Sequence, residues 1–101
     1  MSSLDIAWIR AQFPALAQTV NDQPAVFFDG PGGTQVPQRV IDGIGNYLIN
    51  ANANTHGAFA TSARTDAVIA EAHTAMADLL GCDPDEVVFG PNMTTLTFAM
   101  S

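Results

Sequence analysis

Apolar positions in this chain switch repeatedly between a helical period and short continuous runs, with turn-forming residues at the switches. Residues 4–12 predict a short helix with Ser3 as its N-cap and Asp5 in its first turn. Either Leu4, Trp8 and Ala11 or Ile6, Ile9 and Phe13 would face inward, and Pro14 closes the helix. Residues 17–25 are polar and predict a turn, after which Val26, Phe27 and Phe28 form a short apolar strand ended by Asp29-Gly-Pro-Gly-Gly33. Pro37 suits the first turn of a second helix, in which Val36, Val40, Ile41, Ile44, Tyr47 and Leu48 keep the 3.6-residue period out to about residue 49. Gly43 and Gly45 weaken that helix by about 1 kcal/mol each relative to Ala unless close packing requires them. Small and polar residues at 50–57 predict a loop. Thr61 or Ser62 then caps the longest helix, which runs to about Leu80. Its stripe is Val68, Ile69, Ala72, Ala75, Met76, Leu79 and Leu80, opposite Asp66, Glu71, His73 and Asp78, and Gly81 suits its C-terminal end. Cys82–Asp85 turns the chain into a second apolar run, Val87-Val-Phe89. Gly90-Pro-Asn92 breaks that run, and Met93, Leu96, Thr97 and Met100 restore the helical period.

The predicted order is helix, strand, helix, helix, strand, helix. That is an α/β pattern with too few strands to close a sheet, because two strands of three or four residues cannot cover four helices. The last helix ends on Phe98-Ala-Met100 without a Gly or Asn cap, which predicts an incomplete fold and an interrupted chain.

Composition points the same way. A chain of 101 residues makes one small domain at most, and 48% hydrophobic against 13% charged residues is too apolar for disorder. Charge this sparse predicts apolar faces that meet another part of the same protein or a partner, and with them marginal stability and association. Ten acidic residues against Arg10, Arg39 and Arg64 give a net charge of −7, which argues against a nucleic-acid partner. Lysine is absent. Cys82 is the single cysteine, so no intrachain disulfide forms, and no apolar run reaches the length of a membrane span. The expectation is a soluble, cytoplasmic protein without membrane association.

Chemistry-bearing residues are few. His56 and His73 have no partner at ligand spacing, so a structural or solvent-facing role is expected and no metal site. Cys82 follows a helix C-terminus, where the dipole opposes thiolate formation, so a packing role is expected. Asp83, Asp85 and Glu86 lack the spacing of a calcium loop and predict a solvated turn. Gly30–Gly33 lets backbone approach backbone or a ligand, and a tight connection is the alternative. The strongest local signal is strand, turn and helix at 87–100, with Asn92, Met93, Thr94 and Thr95 opening the helix. Free N–H groups and hydroxyls there make an anion or phosphate site, although the Gly pattern and Lys of a P-loop are missing.

Three blocks carry a family resemblance. Phe27-Phe-Asp-Gly-Pro-Gly-Gly-Thr-Gln-Val-Pro-Gln-Arg-Val-Ile-Asp42 resembles the N-terminal signature of cysteine desulfurases and class V aminotransferases. Asn54-Thr-His-Gly57 and the helix after it resemble that family's histidine loop and long helix. Asp85-Glu-Val-Val-Phe-Gly-Pro-Asn-Met-Thr-Thr95 resembles its strand and Thr-Thr turn. The blocks occur in the family's order and cover residues 26–101.

The resemblance implies the N-terminal portion of a fold-type-I transferase dependent on pyridoxal 5′-phosphate (PLP), usually a homodimer, acting on a small amino acid. It implies an N-terminal segment at 1–57 and the start of the large cofactor-binding domain at 58–101. Asn92, Met93 and Thr94 fall where the family holds the cofactor phosphate, and Gly32 and His56 fall near the substrate. The family's catalytic lysine, ring-stacking histidine, pyridine-pairing aspartate and mobile cysteine have no counterpart here, so this chain alone is expected to be inactive and to carry no catalytic residue. Pro91-Asn-Met-Thr-Thr95 replaces the family's Arg-Gly-Thr-Thr-Glu, and Gly57 follows His56 where the family has Arg. Sulfur transfer and amino transfer therefore both stay open. A stand-alone homo-oligomeric or subunit-interaction module without catalysis is the alternative function.

Overall fold

A computed structural model of the chain describes residues 3–101. The chain divides into two compact units, one ending at Asn50 and the other beginning at Ala51. Both are mainly helical, and the sheet consists of two short strands.

In the first unit, α1 spans Ile6–Ala11 and is capped by Asp5 rather than Ser3, with Asp5 Oδ1 accepting the Trp8 N–H at 2.9 Å. The carboxylate is the better cap because it also carries charge into the positive end of the helix. Ile9 and Phe13 are half-buried, whereas Leu4, Ile6 and Trp8 are exposed. A 3₁₀ turn at Pro14–Ala17 follows.

The residues expected to form only a polar turn contain the sheet. Strands β1 (Thr19–Val20) and β2 (Gln23–Pro24) pair antiparallel, Thr19 opposite Pro24 and Val20 opposite Gln23. Between them Asn21 and Asp22 have φ of 50° and 60°. Two consecutive left-handed residues are what a two-residue hairpin needs to match strand twist, and Asn and Asp are the non-glycine residues that tolerate them best. Conversely, neither Val26–Phe28 nor Val87–Phe89 forms a strand. A strand exists through its ladder, and these runs find no pairing partner among the described residues.

Asp29 closes a 3₁₀ turn at Gly30–Gly32 by accepting the Gly32 N–H. Helix α2 (Gln38–Asn50) starts directly after Pro37, and its Gln38 N–H is satisfied by the Gln12 carbonyl at 2.8 Å, which ties α2 to the end of α1. Val40, Ile41, Ile44 and Leu48 lie on one side of α2 and all remain exposed.

The second unit is built on α3 (Ala60–Leu80). Its N-cap is Phe59, which makes no side-chain capping bond. Thr61 and Ser62 are therefore not caps, and Ser62 is committed to the preceding loop. Gly81 ends α3 in the left-handed region at φ 72°, donating to the Ala77 carbonyl. The buried residues of α3 are Ser62, Thr65 and Ala77. Much of the apolar stripe expected to face inward stands open, from Ile69 at 41% exposure to Leu79 at 76%. A 3₁₀ turn at Pro84–Glu86 follows, in which the Glu86 carboxylate accepts the Asp83 N–H at 2.8 Å. His73 fixes this turn to α3 through Nδ1, 3.1 Å from the Pro84 carbonyl, and meets the Phe89 ring edge-on at 4.9 Å. Val87 is buried, Val88 and Phe89 are exposed, and α4 spans Met93–Met100. Among the described residues only Ala51, Ala77 and Val87 are buried apolar positions. No described helix is long and apolar enough to cross a membrane.

Candidate functional site

The N-terminus of α4 is organised by its cap. Asn92 is fully extended, with φ −167° and ψ 166°, and its Oδ1 accepts the Thr95 N–H at 2.8 Å. Its carbonyl begins the helical ladder by accepting from Leu96 at 3.2 Å. With the third N–H of the helix thus satisfied, the N–H groups of Met93 and Thr94 occupy the two positions that no intrahelical carbonyl can reach. Both residues are exposed. Gly90 sets the approach into this turn: a Cβ there would lie 2.5 Å from Leu96 Cδ2, so the backbone passes directly over that side chain. The helix start thus carries two N–H groups outside the helical ladder, a threonine and the positive end of a helix dipole, a donor set of the kind that suits an oxyanion.

His56 lies in the loop before α3. Its backbone is left-handed, with φ 60°. Its N–H is shared between both carboxylate oxygens of Asp66, each at 3.1 Å. The next N–H, of Gly57, donates to Ser62 Oγ at 2.6 Å, and that hydroxyl donates in turn to the Asn54 carbonyl at 2.6 Å. The Thr65 hydroxyl donates to the Ala51 carbonyl. A Cβ on Gly57 would lie 2.4 Å from the Phe59 ring, so any side chain there requires that ring to shift. The loop is thereby fastened at three points to α3 residues spaced i, i+3 and i+4, while the imidazole is 89% exposed with Nδ1 3.6 Å from Asp66 Oδ1. Sequence reasoning missed this fastening. The available signal was Ser62, Thr65 and Asp66 at neighbouring positions on a helix immediately after a loop of small residues.

Gly32 belongs to the first unit. A Cβ there would collide with the Asp29 carboxylate at 2.5 Å, so the glycine is required by the Asp29 cap itself. It lines an open cleft of about 470 Å³ with Phe13, the Val26–Phe28 run, Thr34 and Gln35. His56 and the α4 turn share the second unit but no hydrogen-bond partner. His73 is held by Pro84 and Phe89, and no group of metal-ligating side chains occurs among the described residues. Cys82 is half-buried.

Comparison with known proteins decides the family. The family model for class V aminotransferases matches residues 26–100. The chain belongs to the class V aminotransferase family. A protein named "Probable cysteine desulfurase" from Vibrio cholerae is 42% identical over 79 residues, covering 77% of this chain and 20% of that protein. A cysteine desulfurase from Synechococcus elongatus is 40% identical over 87 residues, covering 84% of this chain and 14% of that protein. An aminotransferase-like protein from Gibberella zeae is 33% identical over 97 residues, covering 92% and 23%. The chain thus spans less than a quarter of the length of these class V relatives.

Proposed function

We propose that this chain is the N-terminal portion of a PLP-dependent enzyme of fold type I, cysteine desulfurase-like or aminotransferase-like, and that its role is to hold the cofactor phosphate. The observation that carries the reading is the opening of α4, where Asn92 takes up the Thr95 N–H and leaves those of exposed Met93 and Thr94 without an intrahelical acceptor. A phosphate dianion is the natural occupant of such a donor set, and family membership supplies the reason for PLP over another phosphate ester. When bound, PLP supplies an electron sink for bond cleavage at the Cα of an amino acid. This chain's residues would anchor and orient it. They offer no lysine for covalent attachment, so that group comes from elsewhere in the enzyme. Residues 58–101 would begin the cofactor domain and residues 1–57 the N-terminal segment, with His56 and Gly32 on the substrate side. The substrate would be a small amino acid, and the partner the remainder of the enzyme in a cytoplasmic homodimer.

Thermal unfolding of the 101-residue chain with PLP, pyridoxal and inorganic phosphate tests the reading. PLP and phosphate raise the melting temperature with concentration, pyridoxal does not, and Thr94→Ala weakens the effect. Because lysine is absent, aldehyde labelling of side-chain amines cannot mimic this result. Equal shifts with PLP and pyridoxal, or no shift with any of the three, would overturn it.

A further inference from the structure

We propose that Asp66 is a positioning residue for His56. The consequence for substrate rests on the substrate-side reading of His56 given above, whereas the positioning itself does not. A left-handed backbone is uncommon for any residue but glycine, even for histidine, which tolerates it better than most, so a contact that favours it at His56 matters. In this loop the holder is a carboxylate ten residues ahead, whose two oxygens share the His56 N–H at 3.1 Å each. An ionised acceptor makes this bond stronger than an amide or hydroxyl could, and two oxygens fix its direction.

The same carboxylate faces the ring, 3.6 Å from Nδ1, so one side chain governs both the backbone turn and the side from which the imidazole is approached. The neighbouring fastenings have a different character. Ser62 and Thr65 are buried and bind the carbonyls of Asn54 and Ala51, which closes the base of the loop. Asp66 is 34% exposed and acts at the tip, on a residue whose own side chain is 89% exposed. Replacing it should release the tip and leave the base closed. A residue whose role was only to stabilise the fold would not divide its effect in this way.

The test uses the isotope-labelled 101-residue chain and its Asp66→Asn variant. In NMR spectra a positive φ brings the amide proton of a residue close to its own Hα, so wild-type His56 gives a strong intraresidue cross-peak. Asp66→Asn should weaken this peak and speed His56 amide exchange by about tenfold or more, the factor expected for loss of a charge-assisted hydrogen bond. Gly57 and the amides of α3 should keep their protection. An unchanged His56 peak in the variant, or equal loss of protection at His56, Gly57 and along α3, would overturn the inference. If the variant fails to fold, wild-type exchange decides: a His56 amide as fast as an unprotected loop amide overturns the proposal, and a protected one upholds it. In the PLP-loaded full-length enzyme, Asp66→Asn should raise KM for the amino acid more than it lowers kcat. A released His56 with unchanged KM would overturn the substrate-side reading while the positioning role stood.

Discussion

At the residue scale, Gly90 links the apolar run to the phosphate-type turn. The Leu96 side chain occupies the space a Cβ would take, so a side chain here would force it to shift. Gly90→Ala should therefore destabilise the chain by about 1 kcal/mol, the low end for overpacking, since a leucine side chain can turn aside. The urea midpoint measures this, and an unchanged midpoint would show that Leu96 moves freely. The place of Asn92 at the helix start was legible from sequence, because it stands between a Gly-Pro turn and a helical period, whereas its role as the cap is shown by its bond to the Thr95 N–H. The use of Ser62 was not legible. A Ser near a helix start satisfies the same pattern whether it caps the helix or reaches back into the loop, and only the fold of residues 51–57 decides between them.

At the element scale, the helices were legible and the strands were not. Periodicity identified α2, α3 and α4 to within about a turn because helical hydrogen bonds are local, so each helix carries its own specification. Val26–Phe28 and Val87–Phe89 have strand composition, but a strand requires a second segment at hydrogen-bonding distance. The hairpin at Thr19–Pro24 satisfies that requirement within six residues through Asn21 and Asp22, despite weaker composition. The loop on α3 depends similarly on one group, the buried Ser62 hydroxyl. Ser62→Ala would leave the Gly57 N–H and the Asn54 carbonyl without their partner and should cost about 1–3 kcal/mol. Chemical denaturation measures that loss, and a cost below about 0.5 kcal/mol would mean that water replaces the hydroxyl.

At the scale of the whole molecule, large apolar side chains remain uncovered on α2, α3 and α4, with only Ala51, Ala77 and Val87 as buried apolar positions among the described residues. So much exposed apolar surface favours association. Ile44 is 59% exposed on the open side of α2, so Ile44→Glu should shift the chain toward monomer with little loss of helicity. Sedimentation with circular dichroism would show this, and a monomeric wild-type chain would remove the prediction. The same exposure suits a segment that completes its sheet and core against the rest of a larger enzyme, consistent with the small share of its relatives' lengths that it spans. The phosphate role of the α4 turn is tested most directly by an NMR titration of the chain with PLP. The Met93 and Thr94 amides should move first and furthest, with pyridoxal leaving them in place. Shifts centred elsewhere, or the same shifts with both compounds, would contradict it.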